Sequence, residues 1–239
     1  MRSGNPALRE KMFAATTRDD GAVMTLNGTV DKTAILLAVV VAGGAFTWSL
    51  GESATPLMIG GAIVGLILAL VTVFNPQRAP VLAPLYAAAE GLFLGGISRM
   101  FESAYSGIVV QAVILTFAIM IAMLLLYRSG VIKVTRNFRL GVIAATGGIA
   151  LYYGITILLN MFGVPVGYWH NGSTLGVLIG VGIVVIAALN LVLDFDFIEA
   201  GARNQAPKHM EWYGAFGLLV TLVWLYVEIL RLLAILNRR

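Results

Sequence analysis

The sequence predicts an all-α membrane protein with seven transmembrane helices, and three observations support this class. Hydrophobic residues make up 59% of the 239 residues and charged residues only 12%, against about 25% charged residues in typical soluble domains. Seven apolar runs each approach the roughly 20 residues that a helix needs to cross the hydrocarbon core. The remaining length leaves no room for a second large domain. The lipid bilayer is therefore expected to be the main partner of this chain.

The order of the elements follows from the positions of the apolar runs. Residues 1–32 are polar with charges of both signs and predict an N-terminal arm outside the membrane. Residues 33–239 predict a single transmembrane domain. Its seven predicted helices cover residues 33–50, 57–74, 81–101, 107–127, 140–161, 174–197 and 213–236. Small residues four apart, such as Gly91 and Gly95, share one helix face and favour close packing between helices.

The distribution of basic residues predicts the orientation. With seven spans and a cytoplasmic N-terminus, twelve Lys and Arg residues face the cytoplasm. The other side then holds four: Arg99, Arg231, Arg238 and Arg239. This asymmetry follows the positive-inside rule, although the C-terminal cluster is discordant. Scattered basic residues argue against nucleic-acid binding, and the absence of cysteine excludes thiolate catalysis and sulfur-ligated metals.

Two acidic side chains lie inside predicted membrane helices. Asp194 is part of NLVLDFDFIEAG in the sixth helix, and Glu228 is part of LYVEILRLLAIL in the seventh. Because an ionisable group in hydrocarbon is costly, each is a candidate functional residue by default. The two helices are consecutive and antiparallel, so we expect them to be neighbours. The depths of the two acids do not match unless the sixth helix continues to about Gly201.

Two interpretations of these acids remain open. If Asp194 and Glu228 meet, they share a proton and titrate as one unit. Their oxygens would then suit a hard cation such as calcium, with backbone carbonyls or water completing the ligand set. Alternatively, Arg231 neutralises Glu228, because it follows three residues later on the same helix face. A third acid, Glu90 in EGLFLGGIS, lies at mid-span without a basic residue within one turn, and is a secondary candidate for an ion path.

These segments resemble the transmembrane Bax inhibitor family, particularly its bacterial branch, over most of residues 33–239. The resemblance is clearest in NLVLDFDFIEAG and LYVEILRLLAIL and extends to EGLFLGGIS. It implies six helices around a central seventh and a pH-sensitive calcium leak controlled by acids between the last two helices. It also implies that Asp194 and Glu228 form the acidic pair and that Arg78 is a basic latch for its closed state. The bacterial resemblance favours an inner-membrane location.

Three functions are compatible with the sequence. The first is a pH-sensitive calcium or cation leak channel, with calcium as permeant or bound ion and no other cofactor. The second is a non-conducting regulator that binds another membrane protein, such as a membrane protease. The third, an intramembrane aspartyl protease, is disfavoured because Glu228 lacks the glycine-rich surroundings of a second catalytic aspartate. We therefore expect a protein without enzymatic activity.

Overall fold

A computed structural model describes residues 22–163 and 174–238, except the side chain of Glu52, and contains seven long helices. These are α1 (Leu26–Ser49), α2 (Thr55–Phe74), α3 (Ala79–Ala104), α4 (Ile108–Arg128), α5 (Arg136–Met161), α6 (Thr174–Arg203) and α7 (Met210–Asn237). All seven are long and apolar enough to cross a membrane. The described residues form no β-strand beyond one isolated bridge. The predicted all-α class with seven spans is confirmed.

The first helix begins earlier than predicted. Thr25 is its N-cap, and the Thr25 hydroxyl accepts a hydrogen bond from the Gly28 amide at 3.0 Å. The cap satisfies an amide that has no partner within the helix. Residues 26–32, predicted as part of the polar arm, therefore belong to α1. Residues 1–21 of that arm lie outside the described residues, as does Arg239.

The last helix, α7, lies at the centre of the bundle. More than half of its span (56%) is buried, whereas the other six spans are 6–44% buried. It packs against α1, α3, α4 and α6. In contrast, α2 packs mainly on α3, and α5 packs mainly on α6. The expected arrangement of six helices around a central seventh is thus confirmed in part, with four helices in extensive contact with α7.

Glycines bring α3 very close to its neighbours. A Cβ atom on Gly91 of α3 would lie 2.6 Å from the Val40 carbonyl oxygen of α1. A Cβ atom on Gly61 of α2 would lie 2.6 Å from the Ala89 carbonyl oxygen of α3. Both distances are shorter than a van der Waals contact, so these backbones can meet only at glycine. The packing predicted from the spacing of small residues is confirmed at these positions.

Helix α5 lies at the periphery and is held largely by polar links. Only 6% of its span is buried, the smallest fraction among the seven helices. Side-chain hydrogen bonds connect it to α6 and α7 at three levels. The links are Arg139–Asp196 at 2.6 Å, Asn190–Thr146 at 2.8 Å and Tyr153–Glu228 at 2.6 Å.

We call the side of the bundle where α1 begins the N-terminal side. Helices α3, α5 and α7 also begin there, and α2, α4 and α6 end there, because the seven spans alternate in direction. The segment before α1 contacts the turn between α6 and α7, since the Met24 amide donates to the Ala206 carbonyl at 2.7 Å.

Candidate functional site

The pairing of α6 with α7 determines where the acids lie. Two contacts define its register. Ile198 lies against Gly214 near the N-terminal side, and Gly180 lies against Leu232 near the opposite side. The residue numbers in each contact add to the same value, as expected for two straight antiparallel helices. In this register Asp194 faces the first half of α7, whereas Glu228 is level with a residue near position 184.

Asp194 lies in the interface between α6 and α7. The side chain of Thr221 lies beside its carboxyl group. Its Oδ1 lies 3.9 Å from the position that a Cβ atom on Gly217 would occupy, so glycine leaves room for the carboxyl group. Its Oδ2 is buried without a hydrogen-bond partner among the described residues. Asp194 is thus a half-buried residue of a membrane span with one buried, partnerless carboxyl oxygen.

Glu228 has hydrogen-bond partners at Oε1 and an ion pair at Oε2, although Oε2 forms no hydrogen bond of good geometry with a described residue. Its Oε1 accepts hydrogen bonds from the Tyr153 hydroxyl at 2.6 Å and the Trp224 indole at 3.3 Å. Its Oε2 lies 2.5 Å from the Arg231 guanidinium, which also lies 5.3 Å from the centre of the Tyr153 ring. The Glu228 side chain is only 5% exposed. Arg231 therefore neutralises Glu228, as the second interpretation of the sequence requires.

The expected direct pair of Asp194 and Glu228 is wrong for this structure. Thr221, which lies beside Asp194, precedes Glu228 by seven residues, or about 10 Å along the helix axis. No hydrogen bond or ion pair joins the two acids in the described part of the chain. Helix α6 does extend to Arg203, past the predicted end at 197. This extension is not enough, because the register still leaves the backbones of the two acids nearly three turns apart.

The geometry also does not form the expected calcium site. Two carboxylates about 10 Å apart cannot ligate one ion directly, since calcium–oxygen distances are about 2.3–2.6 Å. Within residues 22–163 and 174–238, no group of three or more His, Asp or Glu residues could hold a metal. Calcium therefore has no preformed carboxylate cage in this arrangement of the described helices.

Glu90 lies at a different interface, between α2 and α3. It is 9% exposed, and its Oε1 would lie 2.8 Å from a Cβ atom on Gly65 of α2. The carboxyl group thus fills the space that this glycine leaves. The Tyr86 side chain, one turn earlier on α3, lies beside the same carboxyl group. The Tyr86 ring packs edge-on against Phe216 of α7 at 5.0 Å between ring centres. Glu90, Asp194 and Glu228 are therefore distributed over three helix interfaces.

Arg78 does not contact either acid. It ends the short 3₁₀ helix Pro76–Arg78 at the N-terminal side and is exposed. Its side chain has no hydrogen bond or ion pair with any described residue, whereas Asp194 lies nine residues before the end of α6, or about 14 Å inside. The latch implied by the family resemblance is therefore not formed in this structure.

A further buried acid, which was not predicted from the sequence, lies at the start of α7. Glu211 is fully buried, and its Oε1 accepts hydrogen bonds from the Thr25 amide at 2.9 Å, the Thr25 hydroxyl at 2.8 Å and Lys208 at 2.8 Å. Lys32 lies 3.6 Å from its Oε2. The carboxylate occupies the space above Gly28, where any side chain would collide with it. The spacing of Lys208 and Glu211 hinted at an ion pair, but its connection to α1 could not be predicted.

The fold and these buried ionisable groups define a polytopic α-helical membrane protein. The chain matches the family described as Bax inhibitor 1 like over residues 5–238, nearly its whole length. It belongs to that family, which confirms the resemblance found from the sequence. No curated protein and no solved structure matches the chain.

Proposed function

We propose that this protein is a pH-sensitive cation leak in which Asp194 is the proton sensor and calcium is a permeant ion. The observation that carries the proposal is the Asp194 carboxyl group, whose Oδ2 is buried without a hydrogen-bond partner and which, unlike Glu211 and Glu228, forms no ion pair with a described residue. Membership of the Bax inhibitor 1 like family supports an ion-handling role. The proposed function is transport rather than catalysis, and calcium is the transported ion rather than a resident cofactor.

The physical basis of the sensor is the cost of a buried charge. A neutral carboxylic acid can lie in the dry interface between α6 and α7 at modest cost, whereas a carboxylate there requires water or a cation. Ionisation of Asp194 would therefore favour a state in which the two helices separate and the interface becomes wet. Gly217 and Thr221 lie beside Asp194 on α7, whereas the rest of the interface is packed with buried apolar side chains such as those of Leu191, Leu218 and Leu222. The separation is therefore expected to be local to the turn that holds Asp194.

The other acids have different proposed parts. Glu228 forms an ion pair with Arg231, and the pair carries no net charge. We therefore give Glu228 a structural role and do not include it in the proton sensor. Glu90 is a candidate for a second, independent ion-path residue between α2 and α3. Because the three acids lie at separate interfaces, we propose that each gains and loses its proton independently and that they do not titrate as one coupled group.

We further propose that the N-terminus is cytoplasmic and that the membrane is a bacterial inner membrane. Among the described residues, eight Lys and Arg residues lie at the N-terminal side, and Arg99, Arg231 and Arg238 lie toward the opposite side. Such a bias supports a cytoplasmic N-terminal side. The bacterial location rests on the sequence resemblance alone.

Calcium flux into proteoliposomes across a pH series tests the leak. We expect the wild-type flux to rise with pH, and Asp194→Asn to remove the pH dependence. The matched control is Asp196→Asn, because Asp196 lies two residues away and is paired with Arg139 at 2.6 Å. The paired variant Glu228→Gln with Arg231→Gln should retain the pH response. A flux from Asp194→Asn with unchanged size and pH dependence would refute the assignment.

The alternative function is a non-conducting regulator that binds another membrane protein, such as a membrane protease. The distribution of the three acids over separate interfaces favours this alternative, because they do not line one path. Its test is deletion of residues 1–21, which spares Met24 and Thr25 and their contacts with the turn before α7. A regulator that uses its arm should lose its partner in a co-purification assay, while a channel should still leak.

A further inference from the structure

A cavity of about 510 Å³ opens at the N-terminal side and has no part in the proposed leak. It lies between the start of α1, the end of α4 with its following loop, and the last turns of α6. Its lining residues are Leu26, Tyr127, Arg128, Gly130, Ile132, Lys133, Val134 and Glu199. None of the acids discussed for ion passage contributes to it.

The cavity combines two free cations with one anchored acid. Arg128 and Lys133 are exposed, and neither side chain has an ion pair or hydrogen bond with a described residue. The Glu199 carboxylate instead accepts a hydrogen bond from the Tyr127 hydroxyl at 2.6 Å. Two positive charges and one negative charge leave a net charge of +1 on the lining. This charge complements one phosphodiester group.

The apolar part of the lining indicates where the ligand comes from. Leu26, Ile132 and Val134 line the cavity beside the cations, and the adjacent Val131 is 71% exposed. The cavity lies where α4 ends at Arg128, which is the level at which a membrane helix meets the headgroup region. A phospholipid presents a phosphate at this level and apolar chains below it. A soluble phosphate compound would not use the apolar residues.

We propose that this cavity binds the headgroup phosphate of one anionic phospholipid, with Arg128 and Lys133 as its ligands. Charge-assisted hydrogen bonds from Arg and Lys to phosphate are short and strong. Basic pockets between membrane helices are a recurrent means of headgroup binding. The bound lipid would also contact the start of α1 through its apolar part, because Leu26 contributes to the lining beside the loop between α4 and α5.

Native mass spectrometry of the full-length protein, titrated with phosphatidylglycerol, tests the site. We expect one retained phosphatidylglycerol per chain, with phosphatidylcholine bound at least tenfold more weakly. Each of Arg128→Gln and Lys133→Gln should weaken phosphatidylglycerol binding about tenfold, as expected for the loss of one hydrogen bond to a charged group. Glu199→Gln raises the net charge of the lining to +2 and should leave binding equal or tighter.

The matched control is Arg136→Gln, which removes the same charge from the first turn of α5 but does not line the cavity. It should retain affinity within twofold. If Arg136→Gln and Lys133→Gln lowered the affinity for phosphatidylglycerol equally, general surface charge would explain the binding, and the proposed site would be refuted. Glycerol phosphate that displaces the lipid at similar concentration would overturn the lipid source. Thermal unfolding of each variant identifies any that fails to fold, and the exposed loop position of Lys133 makes its variant the decisive one.

Discussion

The ion pair between Glu228 and Arg231 leads to a quantitative prediction for stability. Arg231→Met keeps an unbranched apolar stem but leaves Glu228 without its cation in a span where its side chain is 5% exposed. Removing one partner of a buried ion pair costs about 3–5 kcal/mol. The loss of the guanidinium above the Tyr153 ring adds about 0.5–1 kcal/mol. We therefore expect a loss of roughly 3 kcal/mol or more in the free energy of unfolding.

Unfolding in mixed micelles, followed by tryptophan fluorescence, measures this loss. Arg238→Met is the control, because Arg238 caps the same helix, is exposed and, among the described residues, binds the Tyr105 hydroxyl alone, at 3.0 Å. That change should cost less than about 0.5 kcal/mol. Combining Arg231→Met with Glu228→Gln should recover most of the loss, since glutamine still accepts from Tyr153. An Arg231→Met protein as stable as the wild type would show that the pair contributes little and refute the reasoning.

Three further predictions concern packing and the buried acids. Gly95→Ala should destabilise the bundle by about 1–3 kcal/mol in the same unfolding assay, because its Cβ atom would overlap the α1 backbone. Gly147→Ala is the control and should be neutral, because its Cβ atom would meet nothing within 4 Å. Glu211→Ala should increase hydrogen exchange of residues 22–32 more than Thr25→Val does, because Glu211 also binds Lys208 and Lys32; equal exchange in the two variants would contradict this. Asp194→Asn should unfold no earlier than the wild type at any pH, and a marked loss would mean that the acid is structurally required.

The helices could be predicted from the sequence because apolar length alone determines a membrane span. Their ends were less predictable, since polar residues at both ends find partners on other helices. The end of α6 passes the predicted residue 197 because the Glu199 carboxylate binds the Tyr127 hydroxyl of α4. The start of α1 precedes residue 33 because Thr25 caps the helix and is itself bound by Glu211 of α7. Such contacts depend on neighbours that a single segment does not reveal.

The candidate acids were predictable as residues but not as a pair. Asp194, Glu228 and Glu90 could be identified from the sequence because each is an ionisable residue within an apolar run. Whether two of them meet depends on the register of α6 against α7, and this is determined by the contacts of Gly180 and Gly214 with large side chains. A slip of nearly three turns would be needed to bring Asp194 level with Glu228. The ion pair with Arg231, in contrast, is local and followed from a spacing of three residues.

The polar attachment of α5 has a consequence for how the bilayer acts on the protein. Lipid tails surround most of this helix, so lateral pressure or a change of membrane thickness acts on α5 more directly than on the other helices. The Tyr153 hydroxyl joins it to the carboxylate of Glu228 on α7. A tilt of α5 would therefore change the length of this hydrogen bond and displace Glu228 on the central helix α7.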